Sequence, residues 1–268
     1  MEKVKEIEKS IIKKYRKDIW SKFTKAIKDY KLIKKGDSIA VCISGGKDSF
    51  LLAKCLEELE RHSKIKFNLK FIVMNPGYRE EHLKQIKANA KTLNLPIEIF
   101  NTDIFKIAKK LNKEKPCYMC ARMRRGYLYD YAKKLKCNKI ALGHHFNDVI
   151  ETTLLSVIYG GEFKTMLPKL KSQNFKKMKL IRPLYLVEEE AIINWANYNN
   201  LTFLNCSCDA TSKETDSKRK NIKELIKELK KDNKYIEYNI FKSTHNVNLK
   251  TLISYKKKNK TIQFLDKY

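Results

Sequence analysis

Three short stretches of this chain carry residue types whose spacing suits chemistry. The first is Ser44-Gly45-Gly46-Lys47-Asp48-Ser49. The run before it, residues 38–43, is short, apolar and β-prone, as a buried parallel strand is, and Phe50-Leu51-Leu52 opens a helix-prone stretch after it. A strand, a glycine-rich turn and a helix start together form an anion site. The paired glycines let the backbone approach, and unpaired N–H groups at the helix N-terminus point at the anion. Ser44 and Ser49 add hydroxyls and Lys47 adds a charge. The Walker nucleotide pattern does not fit, because Val41 stands where its first glycine would be and Asp48 where its Ser/Thr would be. The second stretch is Cys117-x-x-Cys120 followed by Arg122, Arg124 and Arg125. Two thiols at that spacing can grip one metal or cluster or form a redox pair, and the cations favour the thiolate. The third is Gly143-His144-His145-Phe146-Asn147-Asp148, which ends a strand-like run over 139–143. Its carboxylate, Asp148, suits a hard ion such as Mg2+ held on phosphates.

The intervening sequence supplies elements to position these groups. Ile12, Tyr15, Ile19, Phe23, Ile27 and Tyr30 recur at helical spacing and predict a helix over 1–33 with a basic outer face. Strand patterns follow at 67–74, 95–100, 139–143 and 179–186, with a short one at 201–204. Helical patterns fall at 80–93, 103–111, 127–135, 149–158, 188–198 and 218–230, with another drawn over 239–252. The alternation predicts an α/β fold with a doubly wound, mostly parallel sheet and helical extensions at both ends. We divide the chain into 1–35, 36–210 and 211–268. In an open sheet of this kind ligands bind at the carboxyl ends of the strands, so Met74, Gly143 and His144 should share one crevice with the 44–49 loop.

The glycine-rich hexapeptide resembles the SGGKDS motif of the PP-loop ATP pyrophosphatases, the adenine nucleotide alpha-hydrolase-like fold. The third stretch resembles that family's Gly-His-x-x-Asp-Asp motif, with Asn147 in place of the first aspartate. Tyr159-Gly160-Gly161, Lys164, Met166-Leu167-Pro168-Lys169-Leu170 and Ile181-Arg182-Pro183-Leu184, taken together with the CxxC-x-Arg-x-Arg-Arg-Gly run, extend the likeness. The combination resembles the TtcA family of tRNA 2-thiocytidine synthetases from about residue 12 to about 230. The resemblance implies ATP bound at Ser44, Gly45, Gly46, Lys47, Asp48 and Ser49, and an adenine pocket that includes Met74. It further implies Mg2+, with Lys47, Asp48 and Asp148 acting at the phosphates, and Arg124 or its neighbours stabilising negative charge. It implies a [4Fe-4S] cluster on Cys117, Cys120 and a third cysteine, for which Cys206 is preferred to Cys208. The implied partners are tRNA and a sulfur donor, either a cysteine desulfurase or sulfide. The sequence leaves the oligomeric state open, a homodimer included.

Composition bounds these readings. The net charge of +28, from 58 Lys and Arg against 30 Asp and Glu, attracts polyanions, nucleic acid first. No stretch reaches the ~18 apolar residues of a membrane span, and the charged start lacks a secretion signal, so a cytoplasmic location is expected. The seven cysteines of such a chain are not a disulfide framework, and Cys42, Cys55 and Cys137 read as non-ligands. Two competing readings stay open. One is a PP-loop thiolase of uridine that uses a persulfide or structural zinc. The other is a non-catalytic RNA-binding module.

Overall fold

The computed structural model describes residues 2–104, 107, 116–203, 213–258 and 260–267. Strands β1 (Ser38–Ile43), β2 (Asn68–Asn75), β3 (Ile97–Asn101), β4 (Lys139–Ala141), β5 (Lys169–Lys171) and β6 (Lys179–Ile181) form one sheet in the order β3-β2-β1-β4-β6-β5. All neighbours are parallel except β5, which runs antiparallel on β6. The chain leaves β1 towards β2 on one side and later fills β4 on the other. The carboxyl ends of β1 and β4 therefore flank the switch point at which open α/β sheets bind ligands.

The period of two along the strands sorts the core. Ile39, Val41 and Ile43 of β1 pack in a cluster with Phe50, Leu51, Ile192 and Trp195. Those partners come from helices α3 (Lys47–His62) and α7 (Glu189–Tyr198). Ala40 and Cys42 face the opposite way, into a cluster with Tyr129 and Ala132 of α5 (Pro116–Lys134). Both faces of the sheet are thus covered, which is why its strands read as continuous apolar runs. A third cluster joins Phe146, Val149 and Ile150 of α6 (Phe146–Ile158) to Ile222 and Ile226 of α8 (Lys213–Asp232) and Phe241 of α9 (Ile236–Ser243). Helix α4 (Glu80–Thr92) follows β2. No helix among the described residues is long and apolar enough to cross a membrane.

Several elements depart from the sequence reading. The N-terminal helix is not uniform. Helices α1 (Glu2–Lys9) and α2 (Ser21–Asp29) are joined through π-helical turns at Ser10–Lys14 and Arg16–Trp20. The wider turns coincide with two ties to α7 and the residue that caps it: Tyr15 Oη donates to the Asn194 carbonyl at 2.9 Å, and Asn199 Nδ2 donates to Ser10 Oγ at 3.1 Å. The strand expected over 179–186 stops at Ile181, because Arg182 to Tyr185 turn to hold the preceding loop. The Arg182 N–H donates to the Pro168 carbonyl at 2.9 Å, its guanidinium donates to the Leu167 carbonyl, and Tyr185 Oη donates to the Met166 carbonyl at 2.8 Å. Lys169, one of the residues that extend the resemblance, lies in β5 with its ammonium on the Lys31 carbonyl. Residues 201–203 are not a strand. The helix expected over 239–252 ends at Ser243. The lysine-rich tail beyond it folds as an antiparallel pair, β7 (Ser254–Lys257) with β8 (Lys260–Gln263). Most of the helix expected over 103–111 lies outside the described residues.

Beneath the sheet, Lys139 at the start of β4 is 1% exposed. Its ammonium pairs with Asp37 and donates to the Leu32 carbonyl at 2.8 Å. Burial pulls this lysine below its ordinary value while Asp37 opposes the shift. Removing one partner strands the other charge, whereas removing both does not. Asp37→Asn should therefore cost about 3–5 kcal/mol. The double variant Asp37→Asn/Lys139→Met should lose much less. Urea denaturation midpoints of the two proteins check this, and equal losses would contradict it.

Candidate functional site

The 44–49 loop turns from β1 into α3 through Gly45, whose φ of +97° is a conformation glycine adopts without strain. Ser49 Oγ closes the loop, accepting the Ser44 N–H at 3.1 Å and donating to the Gly46 carbonyl at 2.8 Å. Across the switch point, Gly143 lies directly on this turn. A Cβ there would stand 3.0 Å from the Asp48 carbonyl carbon and from the Ser49 nitrogen. The end of β4 can approach the helix start so closely because residue 143 has no side chain.

Between these two segments opens a cleft of about 510 Å³ lined by Ser44, Asp48, Ser49, Met74, Gly143, His144 and Asp148, with Tyr78, Arg124 and Arg219 at its sides. That volume lies within the range of small-molecule sites. The expected residues from strands 1, 2 and 4 are thus brought together, and Arg124 of α5 joins them with its guanidinium donating to Tyr78 Oη at 3.0 Å. Cys42, read as a core residue, is buried and also lines the cleft. Cys117 and Cys120 stand three residues apart in the first turns of α5. Cys206 and Cys208 lie outside the described residues.

The charges in the cleft are interlocked. Lys47 Nζ donates to Glu189 Oε1 at 3.0 Å and lies 3.3 Å from Asp48 Oδ1. Burial works against the Glu189 carboxylate, yet Lys47, with further help from His145 and Lys223, holds it down at about 2. Burial raises Asp48, against the pull of His145 and Lys47. Asp48 Oδ1 is buried without an aligned hydrogen bond. His145 sits among the carboxylates, its Nε2 3.5 Å from Asp148 Oδ2 and 3.9 Å from Asp48 Oδ1. The His145 backbone N–H donates to Asp148 Oδ2 at 3.0 Å, which fixes that carboxylate in the first turn of α6. Asn147, the departure from the two-aspartate motif, works as a joint. Its Oδ1 accepts the Glu189 N–H at 2.9 Å, and its Nδ2 donates to Glu237 Oε1 at 3.1 Å.

Sequence reasoning missed Glu189, Glu151, Arg219 and Lys223. Glu189 had a signal, since it opens the helix after the fifth expected strand and so stands at a strand's carboxyl side. Arg219 and Lys223 had none. Their place depends on α8 folding back onto α6, where Arg219 Nε lies 3.6 Å from Glu151 Oε2 and Lys223 Nζ 3.5 Å from Glu151 Oε1. Of the residues that strengthened the resemblance, Gly160, Gly161 and Arg182 take structural places. A Cβ at Gly160 would meet the Ser156 carbonyl at 2.8 Å, Gly161 takes a φ of +57°, and burial keeps the Arg182 guanidinium at about 10.

Comparison with known proteins places this geometry. A family model described as a PP-loop domain matches residues 15–229. A tRNA-cytidine(32) 2-sulfurtransferase of Geobacter metallireducens is 37% identical over 245 residues, covering 90% of this chain and 93% of the relative. The tRNA-cytidine(32) 2-sulfurtransferase 1 of Francisella philomiragia is 38% identical over 239 residues, covering 88% and 92%. Among solved structures, the U34-tRNA thiolase NcsA from Methanococcus maripaludis with its [4Fe-4S] cluster superposes with a TM-score of 0.67 at 23% identity. It covers 84% of this chain and 76% of that one, a likeness of fold.

His144 gives the cleft a measurable pH signature. Burial lowers it to about 4 from an ordinary value of 6.5, with the charge of Asp148 opposing. It is neutral when folded but protonates near its ordinary value when unfolded. Its stabilising contribution is present above pH 6.5 and falls away as the pH drops towards 4. The urea midpoint of the native protein should fall between pH 7 and pH 5, and by less in His144→Gln. An identical fall in both proteins would contradict the buried neutral imidazole.

Proposed function

The chain belongs to the PP-loop family, and within it to the family of the tRNA-cytidine(32) 2-sulfurtransferases, and from that premise we propose that it is an ATP-dependent tRNA sulfurtransferase. The C2 oxygen of a tRNA cytidine attacks the α-phosphorus of ATP and pyrophosphate leaves. Hydrosulfide then attacks C2, AMP departs with the former base oxygen, and loss of the sulfur-bound proton leaves the 2-thio base. The name shared by the curated relatives favours cytidine 32 over the uridine alternative. The observation that carries the reading is the convergence of Ser44, Asp48 and Ser49 of the loop with Gly143 and Asp148 on one cleft.

The residues take roles by their chemistry. The amides of Gly45, Gly46 and Lys47, the hydroxyls of Ser44 and Ser49, and the Lys47 ammonium receive the phosphates at the start of α3. Met74, Gly143 and His144 line the adenosine side. Among the described residues no three His, Cys, Asp or Glu are grouped to hold a metal ion. A Mg2+ here would be held by Asp48 and Asp148 together with phosphate oxygens, a common arrangement for this ion. The unbonded, buried Asp48 Oδ1 fits that role. Bound there, the ion would neutralise charge on the leaving pyrophosphate. Neither step demands a strong protein base, so positioning and charge neutralisation by this loop, with Arg124 at the cleft wall, carry the acceleration.

Cys117, Cys120 and Cys206 are the proposed holders of a [4Fe-4S] cluster, for which thiolates are the suited donors. Such a cluster would supply an iron that binds hydrosulfide, taken up as sulfide or released from the persulfide of a cysteine desulfurase by a thiol reductant. The segments 1–35 and 211–268 are proposed to extend the central PP-loop unit, and their lysines supply the polyanion-binding charge.

The test separates phosphate chemistry from RNA binding. With ATP, Mg2+ and tRNA, the native protein should form AMP. Lys47→Ala and Asp48→Ala should lose at least about 100-fold of that rate, as removing a positioned charge at a transferring phosphoryl group does. Both variants should keep tRNA affinity within about threefold, because the RNA contacts are spread over many basic residues. Undiminished AMP formation by either variant would refute the site.

A further inference from the structure

The nucleotide cleft has a wall that neither the loop motif nor the family resemblance assigns. It comes from α8. Arg219 and Lys223 are four apart on that helix and share an edge, and Asp148 and Glu151 are three apart on α6 and share another. The two edges face each other. Ile222 and Ile226, buried against Phe146, Val149 and Ile150, fix the two helices in that register. Arg219 is therefore delivered to the cleft from a core-anchored helix, and it lines the same cavity as Ser44, Asp48 and Asp148.

The cations facing these carboxylates are not equally engaged. Glu189 serves two lysines at once, with Oε1 3.0 Å from Lys47 Nζ and Oε2 3.2 Å from Lys223 Nζ. Arg219 is held more loosely. Its Nη1 is 3.9 Å from Asp148 Oδ1 and its Nε 3.6 Å from Glu151 Oε2, beyond the ~2.7–2.9 Å of a seated charge-assisted hydrogen bond. Its side chain is 46% exposed. Four carboxylates, Asp48, Asp148, Glu151 and Glu189, stand against Lys47, Lys223 and Arg219 in these pairs. A triphosphate brings further negative charge into this setting, so it needs a cation that can leave its carboxylates at little cost. A guanidinium fork is also the donor shape that grips phosphate oxygens two at a time.

We infer that Arg219 is a phosphate-binding residue of the nucleotide site, supplied by the C-terminal helix α8. The inference rests on the reading of the cleft as an ATP site. On nucleotide binding the guanidinium turns from Asp148 and Glu151 to the phosphates and frees Asp148 for the metal ion. Lys223 stays with Glu151 and Glu189 and keeps the edge of α8 aligned.

The full-length protein tests this with two probes, α,β-methylene-ATP with Mg2+, followed by calorimetry, and adenosine, followed by NMR. Arg219→Met should weaken the triphosphate analogue by roughly 10- to 100-fold, the worth of hydrogen bonds to a charged group. It should leave adenosine affinity within about threefold, since adenosine carries no phosphate. Arg219→Lys keeps the charge and the helix edge without the fork, so it guards against misfolding and should lose an intermediate amount for the analogue alone. Equal weakening of both ligands would mean that Arg219 merely props the cleft, and unchanged analogue affinity would mean that it touches no phosphate. Either result overturns the inference while leaving the ATP site standing. A native protein that binds neither probe overturns both.

Discussion

The parallel pairing of β1 with β4 is the constraint on which everything else at the site depends. Ile39 lies opposite Lys139 and Val41 opposite Ala141, so segments far apart in sequence end at one level of the sheet. Gly143 then meets the backbone of Asp48 and Ser49. Without that contact the loop would be an anion-binding helix start like many others. With it, a glycine-rich helix start faces a carboxylate from a second helix across a cleft of about 510 Å³. The buried Lys139–Asp37 pair lies at the opposite end of β4 and ties the start of that strand to the segment entering β1.

Around this seam the charges form a chain rather than separate pairs. Glu189 connects the loop lysine to α8, Glu151 connects Lys223 to Arg219, and Asp148 carries the connection back to His145 and Asp48. Every member is close enough that displacing one changes the partners of the next. A polyanion bound at the proposed ATP site would exchange partners within this existing network. Such a network also explains why Asn147 can replace an aspartate. At that position the side chain must offer an N–H to Glu237 and an acceptor to the Glu189 amide, and a carboxylate cannot donate the first bond.

What the sequence made legible follows the range of the interactions involved. The 44–49 loop could be read because a strand, two glycines and a helix start are all local signals. A doubly wound, mostly parallel sheet whose strand ends share one crevice was implied by alternating patterns and the placement of polar residues at strand ends. The π-helical turns at Ser10–Lys14 and Arg16–Trp20 could not be read, because apolar residues at spacings of three and four look the same whether a helix is regular or widened. The end of β6 at Ile181 depends on Arg182 finding carbonyls of the 166–168 segment, a tertiary event. The lysine-rich pair β7 and β8 lacks the apolar alternation that announces a strand, and Arg219 entered the site through the packing of Ile222 and Ile226. Gly160 and Arg182, which carried the family resemblance, hold structure in the fold.

The central claim is that this cleft activates a tRNA cytidine for sulfur. The most direct measurement is mass spectrometry of tRNA nucleosides from cells lacking the protein and from the same cells carrying either the native chain or Lys47→Ala. The account predicts that 2-thiocytidine disappears on deletion, returns with the native chain and stays absent with the variant. Unchanged 2-thiocytidine in the deletion, or its return with Lys47→Ala, would contradict it.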